Sequence, residues 1–235
     1  MTQSNIKTIA VELKNHAPFT MVGAVLGLLF MFIFRNIGVK GSLAFFTFFH
    51  PAHVVLSAMV TAAMFRIHAP AKKFIFILII GYFGSVGIAT LSDIIIPYIG
   101  TELLGLNVPS HAEVFHDHSA HGEDANNEEH DHHAHKLHLG FIEEWYIVNP
   151  AAIIGVLIAW FIPRTKFPHA GHILVSTWAS SAYMLMEIRA DITFFSVIGI
   201  FVTLFLAVWL PCCVSDIVFP LIFIKPHDLH KINGH

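Results

Sequence analysis

Two histidine pairs stand inside apolar stretches of the sequence, and both belong to the same short phrase. Residues 50–57 read HPAHVVLS and residues 169–176 read HAGHILVS, so the pattern H-x-x-H-x-x-x-S occurs twice. On a helix, residues three and seven positions apart lie on one face, which places each pair in one stripe with its serine. Two imidazoles one turn apart are a common way to offer nitrogen ligands to a divalent metal ion. The predicted nitrogen ligands are His50, His53, His169 and His172.

A second repeated phrase follows each histidine pair further along the chain. It reads SDIIIP at 92–97 and SDIVFP at 215–220. A proline has no N–H group, so the carbonyl four residues earlier loses its helical partner. That carbonyl belongs to Asp93 in the first copy and to Asp216 in the second. Each aspartate is therefore predicted to offer a carboxylate and a free carbonyl in a distorted helix, which is how broken transmembrane helices hold cations.

Further side chains are predicted to support these ligands, by orienting an imidazole or by binding the water of the metal ion. Four are the hydroxyls of the repeated phrases, and one is a thiol in the last apolar stretch. They are Ser57, Ser92, Ser176, Ser215 and Cys213. Two structural alternatives stay open. The histidines would then hydrogen-bond to neighbouring helices with no metal, and the thiol would be a small apolar side chain.

A hydrophilic segment between the two copies is dense in histidine. Residues 111–138 hold nine histidines and seven acidic residues, without the periodicity of a helix or a strand. Such a segment is expected to be disordered without a ligand, and to collect transition metals at the mouth of a pathway. The alternative is a solvated or pH-responsive loop. The predicted metal-collecting residues are His116, His118, His121, His130, His132, His133 and His135.

The composition is that of a membrane protein. Of the 235 residues, 55% are hydrophobic and 12% are charged, and a soluble domain would carry about twice that charge. Long apolar runs predict a polytopic helical protein in the lipid bilayer. The net charge of −3 leaves no basic surface for nucleic acid. The only two cysteines are adjacent in the chain, so no disulfide framework is predicted.

The predicted fold class is an all-α polytopic membrane protein with six transmembrane spans, arranged as two three-helix inverted repeats with broken helices. Three spans per repeat force the second copy to insert upside down, as in many secondary transporters. The last span is too long for one straight helix and is predicted to break at Pro211. The predicted spans are 18–34, 42–65, 74–99, 147–162, 169–186 and 194–224.

The distribution of lysine and arginine orients this arrangement. Nine of the thirteen basic residues fall on the side of the chain termini, which predicts cytoplasmic termini and an external histidine-rich loop. We expect the cytoplasmic membrane of a prokaryote. The predicted segments are a cytoplasmic N-terminal segment (1–15), a first repeat (16–101), an external loop (102–146), a second repeat (147–225) and a cytoplasmic tail (226–235).

These features predict a transporter of a divalent transition-metal ion (zinc, nickel, cobalt, iron or manganese), with zinc foremost. The layout resembles that of ZIP-type zinc transporters, which have a histidine-rich loop between membrane halves and polar metal ligands within helices. The resemblance is one of architecture. The H-N-x-x-D and H-E-x-x-H signatures of that family are absent here, and the loop is predicted on the opposite side. The small size of a six-span transporter favours a homodimer.

An enzyme is the alternative prediction. Alkaline ceramidase-like membrane amidases use a Ser, Asp and three-His set with zinc-bound water as the nucleophile, and the repeated phrases supply those residue types. That family has seven spans and a site that is not duplicated, which favours transport for a chain with two matched halves. Haem ligation ranks third, because two histidines one turn apart would compete for the same side of one iron.

Overall fold

A computed structural model describes residues 3–68, 73–106, 144–163 and 166–214 of the protein. These described residues form helices and contain no strand, which confirms the all-α prediction. One π turn, Leu91–Ile95, joins α3 to α4 without a break. The helices are α1 (Gln3–Phe34), α2 (Gly38–His68), α3 (Phe74–Thr90), α4 (Ile96–Leu103), α5 (Trp145–Phe161), α6 (Lys166–Glu187) and α7 (Phe194–Cys213).

Four helical stretches are long and apolar enough to cross a membrane. They confirm that the chain is a membrane protein, while the count of six spans and their inverted arrangement stay predictions. Helix α5 is apolar but has only 17 residues, and α6 is not among the four stretches. The four stretches are Ala17–Phe34, Gly38–Ile67, Phe74–Leu103 and Phe194–Cys212.

Helix α6 is less apolar than the other long helices, and its polar residues point into the protein. Five of its histidine, serine and threonine side chains are fully buried, at 0% exposure. A polar side chain in a membrane helix is costly toward lipid and is tolerated toward the interior of a bundle. They are His172, Ser176, Thr177, Ser180 and Ser181.

Helix α2 lies at the centre of the bundle and packs against α3, α5 and α6. One apolar cluster, which includes Ala58, Ile77 and Val156, joins α2 to α3 and α5. A second cluster, which includes Ala24 and Met184, joins α1 to α6 and α7. The buried faces of α2 and α6 therefore meet between two apolar clusters.

Two glycines at close helix approaches occupy matched places in the two copies. A Cβ atom on Gly155 of α5 would lie 2.4 Å from the carbonyl oxygen of Val55 and 2.7 Å from the Cβ of Ala58, both on α2. A Cβ atom on Gly23 of α1 would lie 3.1 Å from the Oγ1 of Thr177 on α6. Ala58 and Thr177 are both eight residues beyond the first histidine of their repeated phrase.

Two helices continue at prolines where the sequence predicts distortion or a break. At Pro97 the helix continues through the π turn, in which the N–H of Ile96 bonds to the carbonyl of Leu91, five residues back. Because hydrogen bonds in a π turn span five residues, the helix continues although Pro97 has no N–H to donate. The predicted break at Pro211 is wrong for the described residues, because α7 runs through it to Cys213. The rest of the predicted sixth span lies outside them.

Candidate functional site

The carboxylate of Asp93 is the centre of a buried polar network. Its Oδ2 atom lies 2.9 Å from Nδ1 of His50 and 2.7 Å from Nδ1 of His53. Its Oδ1 atom accepts hydrogen bonds from the hydroxyls of Ser92, at 2.7 Å, and Ser176, at 3.0 Å. All five side chains are fully buried. The structure therefore joins the first histidine pair, the first aspartate and a serine from each copy.

The π turn brings Asp93 to this position. It places Ser92, Asp93 and Ile94 on the buried side of the chain, where α6 packs against the turn. The hydroxyl of Ser180 on α6 donates to the carbonyl of Ser92 at 3.0 Å. The irregular backbone is thus satisfied by a neighbouring helix, as non-helical backbone at membrane depth must be.

Because Asp93 contacts His50 and His53 at Nδ1, the other nitrogen of each ring, Nε2, has no bond to this carboxylate. The Nε2 atoms of His50 and His53 are buried, and neither has a hydrogen-bond partner in the described part of the chain. A buried polar atom without a partner costs about 1–3 kcal/mol. Imidazoles held at one nitrogen by a carboxylate are the form in which histidine commonly binds metal through the other nitrogen.

The second histidine pair meets the first through one member of each. The rings of His53 and His172 stack with their centroids 4.5 Å apart and their planes at 30°. These two residues hold the same position in the repeated phrase. His169 lies one turn away, with its ring centroid 6.4 Å from that of His172. Of the predicted nitrogen ligands, three therefore lie in the buried network and one lies at its edge.

Aromatic rings from α2 and α6 pack beside His50. The ring of Phe46 stacks on that of His50, with centroids 5.0 Å apart and planes at 10°. Tyr183 of α6 packs edge-on against Phe46. The stacking fixes the plane of the imidazole and keeps this part of the network apolar on one face.

Two polar contacts near the network were not predicted. The Sγ atom of Cys212 lies 3.5 Å from Nε2 of His172, whereas the prediction chose Cys213, whose side chain is outside the described ones. The hydroxyl of Thr47 donates to Oε1 of Glu144 at 3.0 Å. Thr47 is one turn before His50, so extending the histidine stripe backward along α2 would have found it.

Several predicted residues cannot be placed in the network. Asp216, Ser215 and the whole tract 111–138 lie outside the described residues. Ser57 is fully buried one turn beyond His53. Within the described ranges, no three His, Cys, Asp or Glu side chains are arranged as a group that would hold a metal ion. The described residues of the predicted site therefore offer at most part of a coordination sphere.

Comparisons with protein-family models, with curated proteins and with solved structures found no match. What the site does must therefore be inferred from its own chemistry. The relevant features are its depth in the bundle, the nitrogens it leaves without partners and the meeting of the two repeated phrases.

Proposed function

We propose that the protein transports a divalent transition-metal ion, zinc foremost, across the membrane. The ion would pass a buried histidine and aspartate site between the two copies of the repeat. One observation carries the proposal: a single carboxylate holds His50 and His53 at Nδ1 and leaves both Nε2 atoms buried without a partner in the described chain. Ionisable groups this deep in a membrane protein usually mark an ion pathway.

The contacts between the repeated phrases support a site at a repeat interface. The equivalent histidines His53 and His172 stack on each other, and Ser176 of the second copy reaches Asp93 of the first. The first helix of each copy also packs by a glycine on the second helix of the other copy. Inverted repeats that rock about such an interface are a common basis of alternating access.

A second buried carboxyl group lies near the site. Glu144 is the first described residue after the histidine-rich tract, and its side chain is only 8% exposed. Its hydrogen bond to Thr47 places the carboxylate one turn of α2 from His50. The proposed pathway therefore has a second acidic group one turn of α2 from its imidazoles.

The equivalence of the two copies favours transport over the hydrolase alternative. His53 and His172, which stack on each other, hold the same position in the repeated phrase, whereas a hydrolase site is not duplicated. The hydroxyls of Ser92 and Ser176 both act as hydrogen-bond donors to Asp93.

Elemental analysis of purified protein tests whether a metal binds within the bundle. The tract histidines are first replaced by glutamine in the full-length chain, so that only the buried site contributes. We expect stoichiometric zinc in this protein, loss of zinc when His53→Ala and His172→Ala are added, and retention in the matched control Ser181→Ala. Zinc that survives the double substitution would contradict the proposed site.

Transport itself is tested with the same proteins in liposomes. An enclosed zinc indicator should report uptake with the starting protein and with Ser181→Ala, but not with the double histidine variant. Tightly bound zinc without uptake, together with cleavage of a lipid amide or ester, would favour the hydrolase. A folded protein with neither bound metal nor uptake would leave the histidines with a purely structural role.

A further inference from the structure

We infer that Asp93 is a positioning residue for the histidines and not a metal ligand, so that α2 presents nitrogen atoms alone to the ion. The cargo would then be a nitrogen-preferring late transition metal rather than magnesium, calcium or manganese. This inference rests on the proposed function and narrows it. It differs from the sequence-based prediction that the carboxylate of Asp93 binds the metal directly.

The first argument is the occupancy of the carboxylate. Each Asp93 oxygen has two polar partners: Oδ2 faces two ring nitrogens, and Oδ1 accepts from two serine hydroxyls. A carboxylate has about four lone-pair positions in all. Direct metal ligation would displace at least one of these partners, and each belongs to a fully buried residue.

The second argument concerns which ring nitrogen carries the hydrogen. Both imidazoles approach the same oxygen through Nδ1. A neutral carboxylic acid has one proton and could donate to only one of them, so at least one imidazole must donate from Nδ1. With an ionised carboxylate, both donate. A neutral imidazole with its hydrogen on Nδ1 has its lone pair on Nε2, which is the atom that ligates metal.

The third argument is the character of the nearby atoms. The ring of His172 stacks on that of His53, and Nε2 of His172 lies 3.5 Å from Sγ of Cys212. Imidazole and thiolate ligands suit zinc, copper, nickel and cobalt, whereas magnesium, calcium and manganese prefer carboxylate, carbonyl and water oxygens. Imidazole and thiol donors of this kind therefore favour late transition metals over magnesium, calcium and manganese.

The tautomer is measurable on the full-length protein without any metal. Heteronuclear NMR of isotopically labelled histidine distinguishes a hydrogen on Nδ1 from one on Nε2. His50→Ala and His53→Ala assign the two signals. We expect Nδ1–H on at least one of these rings, and a change in the remaining signal when Asp93→Asn is introduced. Nε2–H on both rings would overturn the inference whether or not metal is transported.

The coordination sphere is tested by X-ray absorption at the zinc edge, with the tract histidines replaced by glutamine. We expect imidazole scattering that is the same in the parent protein and in Asp93→Asn. Zinc affinity should fall by about 10–100-fold in that variant, as it does when a partner behind a histidine ligand is changed. Loss of an oxygen scatterer in Asp93→Asn would make Asp93 a ligand and overturn the inference.

Metal competition separates failure of this inference from failure of the proposed function. Zinc, nickel and cobalt should displace one another at the site, while excess magnesium, calcium or manganese should not displace zinc. Preference for manganese or magnesium would preserve a metal site but overturn the nitrogen-only cargo. Absence of both bound metal and zinc uptake, with the expected tautomer present, would overturn the proposed transport and the cargo assignment, and would leave Asp93 as a structural anchor.

Discussion

Asp93 shows what a carboxylate requires when it lies inside a membrane helix bundle. A buried charge without partners is prohibitively costly, and hydrogen bonds must replace the water it has lost. The donors come from three elements: α2 supplies two imidazoles, while the π turn and α6 supply one hydroxyl each. The same contacts link α2, the π turn and α6, so the network also stabilises the packing of the bundle.

Replacing Ser176→Ala should destabilise the protein by about 1–2 kcal/mol, near the upper end for a hydrogen bond in a membrane protein. The physical reason is that Oδ1 of Asp93 loses one of its two hydroxyl donors while it stays fully buried. Thermal or denaturant unfolding in a fixed detergent measures the change.

The matched control for that substitution is Ser181→Ala on the same helix. The Ser181 hydroxyl is equally buried but donates only to the carbonyl of Thr177, four residues back on α6. The Thr177 carbonyl remains within a helical turn, so loss of the Ser181 hydroxyl should cost about 0.5 kcal/mol or less. Equal destabilisation by the two alanines would show that the bond to Asp93 has no special weight.

Part of this residue-level picture was predictable from the sequence. The repeated phrases identified both histidine pairs and the first aspartate, because such residue types are rare in apolar spans. Spacing along one chain does not reveal which atoms on different helices meet. It therefore missed the shared oxygen of Asp93, the stacking of His53 on His172, and the contact of Cys212 with His172.

At the scale of elements, the π turn determines the direction in which Asp93 points. A π turn adds one residue to a helical turn and so rotates the residues that follow it relative to the preceding helix. The sequence predicted a distortion here from Pro97, and the structure shows its form in the bond from Ile96 to Leu91. Pro211 shows the limit of that reasoning, since the described part of α7 continues through it.

Replacing Pro97→Ala should weaken zinc binding by about tenfold, which corresponds to about 1.4 kcal/mol. The alanine restores an N–H that can bond to the carbonyl of Asp93, which favours a regular helix and turns the carboxylate away from His50 and His53. Isothermal titration with zinc measures the effect, in protein whose tract histidines are glutamine.

Pro150→Ala provides the comparison for the proline change. Pro150 also lies inside a helix, but it is exposed and is on α5 rather than beside the network. Zinc affinity should therefore stay within error of the parent protein. A similar loss from both prolines would indicate a general effect on folding rather than a role for the π turn.

Helix approach at Gly155 gives a second prediction at this scale. Gly155→Ala should destabilise the protein by about 1–3 kcal/mol, because its Cβ would meet the backbone oxygen of Val55, which cannot rotate away. In Gly87→Ala the new Cβ meets nothing within 4 Å, and the better helix propensity of alanine should leave stability unchanged or raise it slightly. The unfolding midpoint should therefore fall in Gly155→Ala and stay the same or rise slightly in Gly87→Ala. Destabilisation by both alanines to the same extent would count against a close α2 and α5 contact.

At the scale of the whole molecule, α6 shows how a helix with many polar residues can pack inside an apolar bundle. Its polar residues are paired with the interior, since Ser176 and Ser180 bond to the π turn and His172 stacks on α2. A helix of this kind looks too polar to cross a membrane when its neighbours are ignored. The sequence analysis predicts α6 as a span because its repeated phrase matches that of α2, and this stays a prediction.

Six crossings place both chain termini on one side of the membrane, whereas five or seven would separate them. Reporter domains that are active only in the cytoplasm or only outside it, fused after residue 235 or inserted in the tract 111–138, measure this directly. We expect the C-terminal fusion to report the cytoplasm and the tract insertion to report the exterior, in agreement with the lysine and arginine bias. Opposite placement of the tract would invert the direction in which it could deliver metal to His50. Placement of both reporters on the same side would mean that one helix of the second copy fails to cross, and would remove the inverted repeat on which the proposed transport cycle depends.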